Sequence, residues 1–450
     1  MNRHPAVSML LVWGICVAAY VLLPYQLLER QLTVQGGIIL AIFIAAFVVG
    51  TLLVPTGGRT ARQPTLRVDA AQAERLLAVA ACLATLFFLL DARDKDLFDL
   101  AVAYELRSET ADALLKGEAS NSSIWFQLAF LLYPAAYVYL AVHAIYAARV
   151  NVWALALVGL LPIVLATVNM GGRVPIFYAV LVTWFALRQR HRAGHPPRQT
   201  RPASPLRKAL LWAAWIGVAA VLAYYFAAVF MVRAAVVGGS AEMFSVAEER
   251  WGVGFRGPGS GLLFDLLGED ATYLLFVFVW YLVQGLVMSN YLFSAYDGPL
   301  QLGIYGIDLM SAVMRRVDPQ RVAEGFDSLL SLGTYGFLPS AWGSLYVDYA
   351  FSGVVACAVW GMFTALAYRR IRREWRTDWL FIGPFVSIGI IFSIINTPLG
   401  FTNGFVTHGW LLLSFWLLRR RPSAAPAPRL PMAVATPATV RRSTACAAWP

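Results

Sequence analysis

The chain reads as an all-α polytopic membrane protein with about ten transmembrane helices, and three observations carry that reading. Hydrophobic residues make up 59% of the 450 residues and charged residues only 14%, against roughly a quarter in soluble domains. Mean hydropathy is +0.63. The arginines gather at the ends of apolar runs instead of forming a continuous basic surface. That placement serves orientation in a bilayer, so the net charge of +11 is not taken as a sign of nucleic acid binding.

Apolar runs able to cross a hydrocarbon core as helices lie near 7–27, 36–54, 73–90, 124–147 and 151–168. Five more lie near 174–188, 208–232, 346–368, 379–396 and 405–418. The first is read as a retained anchor, since Val7–Leu23 is followed by Pro24, Tyr25 and Gln26 with no small-residue cleavage site. Cys16, Cys82, Cys357 and Cys446 show no paired spacing. Neither a disulfide framework nor a metal site is expected, and the cysteines are read as packing residues.

Basic residues fix the orientation. Arg59, Arg62 and Arg67 follow the second span, Arg149 the fourth, and Arg188 through Lys208 the sixth. Arg369 through Arg376 follow the eighth, and Arg419–Arg421 the tenth. All fall on one side only if both termini are cytoplasmic and the spans alternate as given. The segment 233–345, with no Lys or Arg from Gly257 to Met314, is then a large extracytoplasmic loop within a single membrane domain, 1–421. By parity it crosses an even number of times or not at all. Its apolar run Tyr273–Phe293 is therefore expected to be re-entrant or interface-lying, paired with Leu302–Met314. The Ala/Pro-rich tail 422–450 is expected to be disordered and cytoplasmic.

Extracytoplasmic arginines run against the orientation rule and mark anion sites. Arg107, Arg173, Arg233 and Arg256 are the candidate substrate-binding residues, because a guanidinium grips phosphate oxygens bidentately. Snorkelling arginines at helix ends are the plain alternative. Among the acids Asp265, Glu269, Asp270, Asp297, Asp308, Asp327 and Asp348, the pair Glu269 and Asp270 leads as candidate general base. His408, the one histidine in the outer half, is the other catalytic candidate. The chain carries no Walker A, zincin or G-x-S-x-G pattern. The spans hold few charges, which disfavours an ion-coupled transporter. A membrane acyltransferase needs a buried His or Asp in a span near the cytoplasmic side, and none stands out.

The element Ser331-Leu-Gly-Thr-Tyr-Gly-Phe-Leu-Pro339, followed by Trp342-Gly-Ser-Leu-Tyr-Val-Asp-Tyr-Ala-Phe-Ser-Gly353, resembles the signature of bacterial O-antigen polymerases, the oligosaccharide repeat unit polymerases. Tyr104-Glu-Leu-Arg107 and Gly171-Gly-Arg173 extend the resemblance, which spans roughly residues 95–400. Ala350 departs from the glycine usual after the aspartate; Gly353 is retained.

The resemblance implies a GT-C-like membrane glycosyltransferase of the inner membrane, similar in plan to O-antigen ligases and independent of metals and cofactors. Its substrate would be an undecaprenyl-diphosphate-linked oligosaccharide. It would act among membrane lipids beside a flippase and a chain-length regulator. The same resemblance implies that Arg107 and Arg173 contact the diphosphate and that Tyr335 and Asp348 form the pocket.

Overall fold

The computed structural model describes residues 4–22, 26–55, 67–93, 123–170, 172, 174–193, 205–255, 260–334, 337–374, 376–419 and 422–423. It is an all-α polytopic membrane protein. The helices are α1 (Pro5–Leu22), α2 (Val34–Leu53), α3 (Ala71–Ala92), α4 (Ile124–Tyr146) and α5 (Val152–Asn169). Then come α6 (Val174–Gln189), α7 (Pro205–Val237), α8 (Ser240–Trp251), α9 (Ser260–Ala295), α10 (Asp308–Val317) and α11 (Pro319–Ser331). The last are α12 (Ser340–Tyr349), α13 (Gly353–Arg372), α14 (Ile382–Ile394) and α15 (Gly404–Arg419). Seven stretches among the described residues are long and apolar enough to cross a membrane, or eight if the sharply bent α7–α8 pair counts as one.

The strands are β1 (Gln26–Leu27), β2 (Arg67–Val68), β3 (Val253–Gly254) and β4 (Pro422–Ser423). They form two short antiparallel ladders, β1 with β3 and β2 with β4. Each ladder ties one end of the bundle. At the first end Arg30 donates to the carbonyls of Trp251 and Gly333, at 2.7 and 2.9 Å. We refer to it as the loop face. At the other end, the arginine face, Arg190 binds the carbonyls of Ala144 and Ala148, Tyr146 donates to the Thr377 carbonyl, and Arg419 reaches Asp378. His4 packs on Tyr368 there. The basic segments thus converge on one end of the helices, together with the start of α1.

Among the described residues three large apolar clusters fill the bundle, and a small fourth, Leu292, Leu329 and Val347, joins α9, α11 and α12. The largest joins α3 through α6 with α14 and α15. A second gathers α1, α2, α9, α12, α13 and α14 around the fully buried Trp342. The third packs α7 and α8 on α9 from Tyr273 to Met288. Cys16 and Cys357 are buried in the second, whereas Cys82 is exposed on α3, so it does not serve the packing role expected of it.

Two elements depart from simple crossings. Ser340–Arg372 is apolar enough to pass as one span, but the chain reverses within it. Along one continuous helix, Trp342 and Trp360 would stand about 27 Å apart; their ring centroids are 5.4 Å apart. Ala350, at φ 46°, makes the turn. Gly333 stands at the loop face with Arg30, while Pro339 and Ser340 lie deeper against Ser289, so α12 climbs back to the loop face and α13 alone makes the crossing. Helix α9 likewise qualifies by length and apolarity, but it lies obliquely. Its Phe276 and Trp280 stack on Trp251 beside Arg30, while Asn290 exchanges hydrogen bonds with Thr33. Those points are about 21 Å apart along the helix yet abut neighbouring residues of the same loop-face segment. Leu282 and Phe293 meet Cys16 and Phe43, in the loop-face halves of α1 and α2, and Phe293 also meets Tyr346 of α12. Gly268, at φ 75°, breaks the helix before this stretch. The partner expected for Tyr273–Phe293 is also different: Leu302–Met314 supplies a turn and the amphipathic α10, and the element packed against Tyr273–Phe293 from within is α12, which climbs back to the loop face.

Helices α2 and α13 run parallel, since Phe43 meets Gly353 and Gly50 meets Ala358. A Cβ at Gly50 would collide with the Ala358 carbonyl, and one at Gly361 with the Phe47 carbonyl. Close backbone approach of this kind is how helices associate where lipid supplies no hydrophobic driving force. Gly50→Leu and Gly361→Leu are each expected to cost at least about 1–3 kcal/mol by overpacking. Gly14→Leu, where nothing stands within 4 Å, should be near neutral. Unfolding midpoints in detergent check the contrast.

Candidate functional site

Asp348 ends α12 at the loop face. Its carboxylate accepts hydrogen bonds from the backbone N–H groups of Tyr305 and Gly306, at 3.1 and 2.9 Å. The Asp348 carbonyl accepts from Leu302 N at 2.9 Å. The sequence pattern is a compact turn, Gln301–Gly306, folded onto one acid. In this state Asp348 orders the turn that launches α10.

Helix α10 then lies over the loop-face end of α4, where Arg316 donates to Gln127 at 2.6 Å. No residue of α10 is buried, and Val313 and Val317 stay exposed. With its apolar and basic residues segregated, it reads as an interface-lying helix.

Below α10, the start of α6 and the segment before α15 meet α4 deeper than its own first turn, and this level forms the floor of the loop face. Helix α6 begins beside Tyr137, whose hydroxyl approaches the Pro175 carbonyl at 3.4 Å. That level is roughly 15 Å below the loop-face end of α4. The segment before α15 meets α4 at Phe130 and Tyr133: Asn403 Nδ2 donates to the Phe130 carbonyl at 2.6 Å, and Tyr133 to the Thr402 carbonyl at 3.3 Å. Helices α6 and α15 have only 16 residues each because they start from this floor. Aromatic rings line the wall in contact, Phe126, Phe130, Tyr133, Tyr137, Tyr178 and Phe401. The non-glycine residues with positive φ among the described residues are Leu302, Ser340, Ala350, Thr402 and Asn403. All belong to the Asp348-bound turn, the α12 reversal or the floor. Strain gathered in this way marks a functional region.

Asp308, in the first turn of α10, is exposed, yet protein surrounds its carboxyl closely enough that burial pushes it up to about 6; Arg315 pulls the other way. Asp308 also lies within electrostatic reach of Tyr133.

His408 stands in the first turns of α15, with Nδ1 at 2.7 Å from the Gly404 carbonyl. That bond requires the proton on Nδ1, so a neutral ring keeps its lone pair on Nε2. Glu269 and Asp270 lie elsewhere, just after the Gly268 break. Both are exposed, and Asp270 accepts from Ser240 at 2.7 Å, tying α8 to α9. They belong to the cluster of α7, α8 and α9, while α15 packs on α3 and α4. No described contact joins the two acids to His408. Arg233 is half-buried near the end of α7. Arg107, Arg173, Arg256 and Tyr335 lie outside the described residues.

One correction concerns the arginine face. A buried histidine does stand there: His143 in α4 bonds Glu74 through Nδ1 at 2.6 Å and accepts from Asn151 N through Nε2 at 3.1 Å. With both ring nitrogens engaged, it clamps α3, α4 and the start of α5.

Sequence reasoning named Asp308 without choosing it and passed over Tyr133 and Asn403. Their signal is spatial, because residues 133, 308 and 403 meet only through the fold. No protein-family model matches the chain, and neither does any curated protein or solved structure.

The raised Asp308 pKa carries a stability sign. Between about pH 4 and pH 6 the native chain holds a proton that an unfolded aspartate has released, so ionisation costs stability that is fully lost above about pH 6. Asp308→Asn is expected to raise the unfolding midpoint above about pH 6 and to leave it unchanged below about pH 4. Equal midpoints at both ends would mean that the carboxyl is not enclosed.

Proposed function

We propose that the chain is a membrane glycosyltransferase that polymerises oligosaccharide repeat units linked to undecaprenyl diphosphate into a surface polysaccharide. It would work at the periplasmic face of the bacterial inner membrane, with about ten spans, both termini cytoplasmic and the loop face outside. The observation that carries the reading is the loop-face region where the interface-lying α10 lies over the end of α4 and the strained backbone positions gather. Aromatic and amide groups pack beneath it, and burial pushes up the Asp308 carboxyl at its start. That combination suits a sugar presented from the bilayer surface. The resemblance to O-antigen polymerases supplies the reaction class.

The hydroxyl of one unit attacks the anomeric carbon of the chain borne on the other lipid. The carbon–oxygen bond to diphosphate breaks, and the diphosphate leaves with the electron pair. Arg107 and Arg173 would stabilise charge developing on the leaving group, an effect worth several kcal/mol where donors are preorganised. Arg173 immediately precedes α6, whose N-terminus adds a favourable dipole for an anion. A base takes the hydroxyl proton. Glu269 and Asp270 sit in a different helix cluster from His408, so the three would not act on one proton.

A second reading has its own support. The re-entrant α12 and the short, broken α14 are features that transporters also use at midplane binding sites, so a lipid-linked oligosaccharide flippase stays as the competitor. Arg107→Ala and Arg173→Ala are expected to abolish long polysaccharide while single lipid-linked units accumulate on the periplasmic face. Accumulation on the cytoplasmic face would select the flippase; a normal ladder in both variants would end the polymerase reading. Orientation is checked separately with single cysteines in a cysteine-free background. One at Asp297 should react with an impermeant maleimide from outside, and one at Arg373 only after the membrane is opened.

A further inference from the structure

Arg30 is 6% exposed at the loop face. The backbone just before it is zipped to the end of α8: Gln26 and Leu27 pair with Gly254 and Val253, and Leu28 N donates to the Gly252 carbonyl at 2.8 Å. From that fixed base the side chain reaches further. One terminal nitrogen donates to the Trp251 carbonyl and the other crosses to the Gly333 carbonyl, 303 positions away in sequence. The Tyr291 and Phe337 rings lie 5.7 and 5.6 Å from the guanidinium carbon. The ion pairs among the described residues do not include Arg30. A buried guanidinium is thus spent on two carbonyls and two rings, a set that calls for its planar fork and not for charge alone. Gly333 fits the same arrangement: its φ is 61°, and a Cβ there would stand 2.6 Å from Arg30 Nη2.

We infer that Arg30 is a positioning residue, which holds the upper end of the limb leading into α12 against the end of α8. The lower end of that limb is held by Ser289, which donates to the Pro339 carbonyl. With both ends fixed, α12 enters and returns in one register, and its last turn delivers Asp348 to the N–H groups of Tyr305 and Gly306. The role is the selection of one arrangement, as a buried polar residue fixes register in a coiled coil. Its consequence for activity rests on the polymerase reading; the hold itself does not. Ser331–Pro339 is the element that carries the resemblance, and Tyr335 follows Gly333 and precedes Phe337 by two positions each. Arg30 acts through that element and not on a reacting group.

Two measurements on the full chain test this. In the first, single cysteines in a cysteine-free background react with N-ethylmaleimide in lipid nanodiscs. Thr334→Cys reports the limb and Ser414→Cys in α15 reports the rest of the bundle, since each position is 1% exposed. Losing two hydrogen bonds should open the limb locally. Arg30→Met is therefore expected to speed labelling at 334 about 10-fold or more and to leave labelling at 414 within about 2-fold. Arg30→Lys should stay close to Arg30→Met at 334, because a point charge lacks the fork. Unchanged labelling at 334, full recovery by lysine, or equal acceleration at both sites overturns the local hold. If Arg30→Met does not fold, Gly333→Ala takes its place, with the same increase at 334 expected and its absence equally decisive against the hold. The second measurement is chain elongation in membrane vesicles. Arg30→Met should lower kcat about 10-fold or more while KM for the lipid-linked unit stays within about 3-fold, the split expected of a residue that does not touch substrate. A raised KM at unchanged kcat, or wild-type elongation by a variant whose limb has opened, overturns the positioning role in catalysis and leaves the hold standing. If wild-type vesicles do not elongate, the polymerase reading fails, and the labelling still decides the hold.

Discussion

Within an apolar slab, backbone N–H and C=O groups must find partners in the protein, and the reversal between Thr334 and Gly353 is where this demand is most acute. Ser289 donates to the Pro339 carbonyl and meets Ser340 Oγ, which lies at hydrogen-bond distance from Trp342 N and Gly343 N. Ser344 donates to Asn396, and Asp348 accepts the N–H groups of the 301–306 turn. These side chains let a half-helix descend and return, and they join it to α9, to the segment after α14 and to the loop face. Remove that satisfaction and the elements around the floor of the loop face lose their common support.

The consequence for function is spatial. Because α12 returns to the loop face, α13 begins there and runs parallel to α2, with glycines at the closest approach. Because α14 gives way to an irregular segment at 395–403, α15 starts low against α4. The oblique α9 closes the other flank. The loop face is thus shaped by shortened and broken helices, with Asn403 holding the start of α15 and Ser289 and Asp348 holding the two ends of α12.

Much of the fold was legible. The apolar runs near 36–54, 73–90, 124–147 and 151–168 coincide with α2 through α5, because periodicity and length alone define a helix that faces lipid. The convergence of Arg190, Arg376 and Arg419 at one end follows from the same charge pattern that placed them on one side. Less legible was the region 260–350. Its composition says apolar and helical, and hydropathy cannot distinguish a helix that crosses from one that lies obliquely or turns back. Among the candidate residues, Asp348 was singled out by its motif, and its bonds to Tyr305 and Gly306 could not be read from it. The grouping of Glu269 and Asp270 with His408 rested on a shared compartment, which says nothing about proximity.

By itself the sequence determined the class of molecule, the helical elements and the ends to which its basic segments belong, since these depend on local composition and on the cost of moving charge through hydrocarbon. Only the tertiary structure decided that residues 340–372 are a hairpin, that Asp348 folds a turn, and that Asn403 bonds the Phe130 carbonyl beside Tyr133. Those facts depend on contacts between residues tens to hundreds of positions apart, for which a single chain carries no local signal.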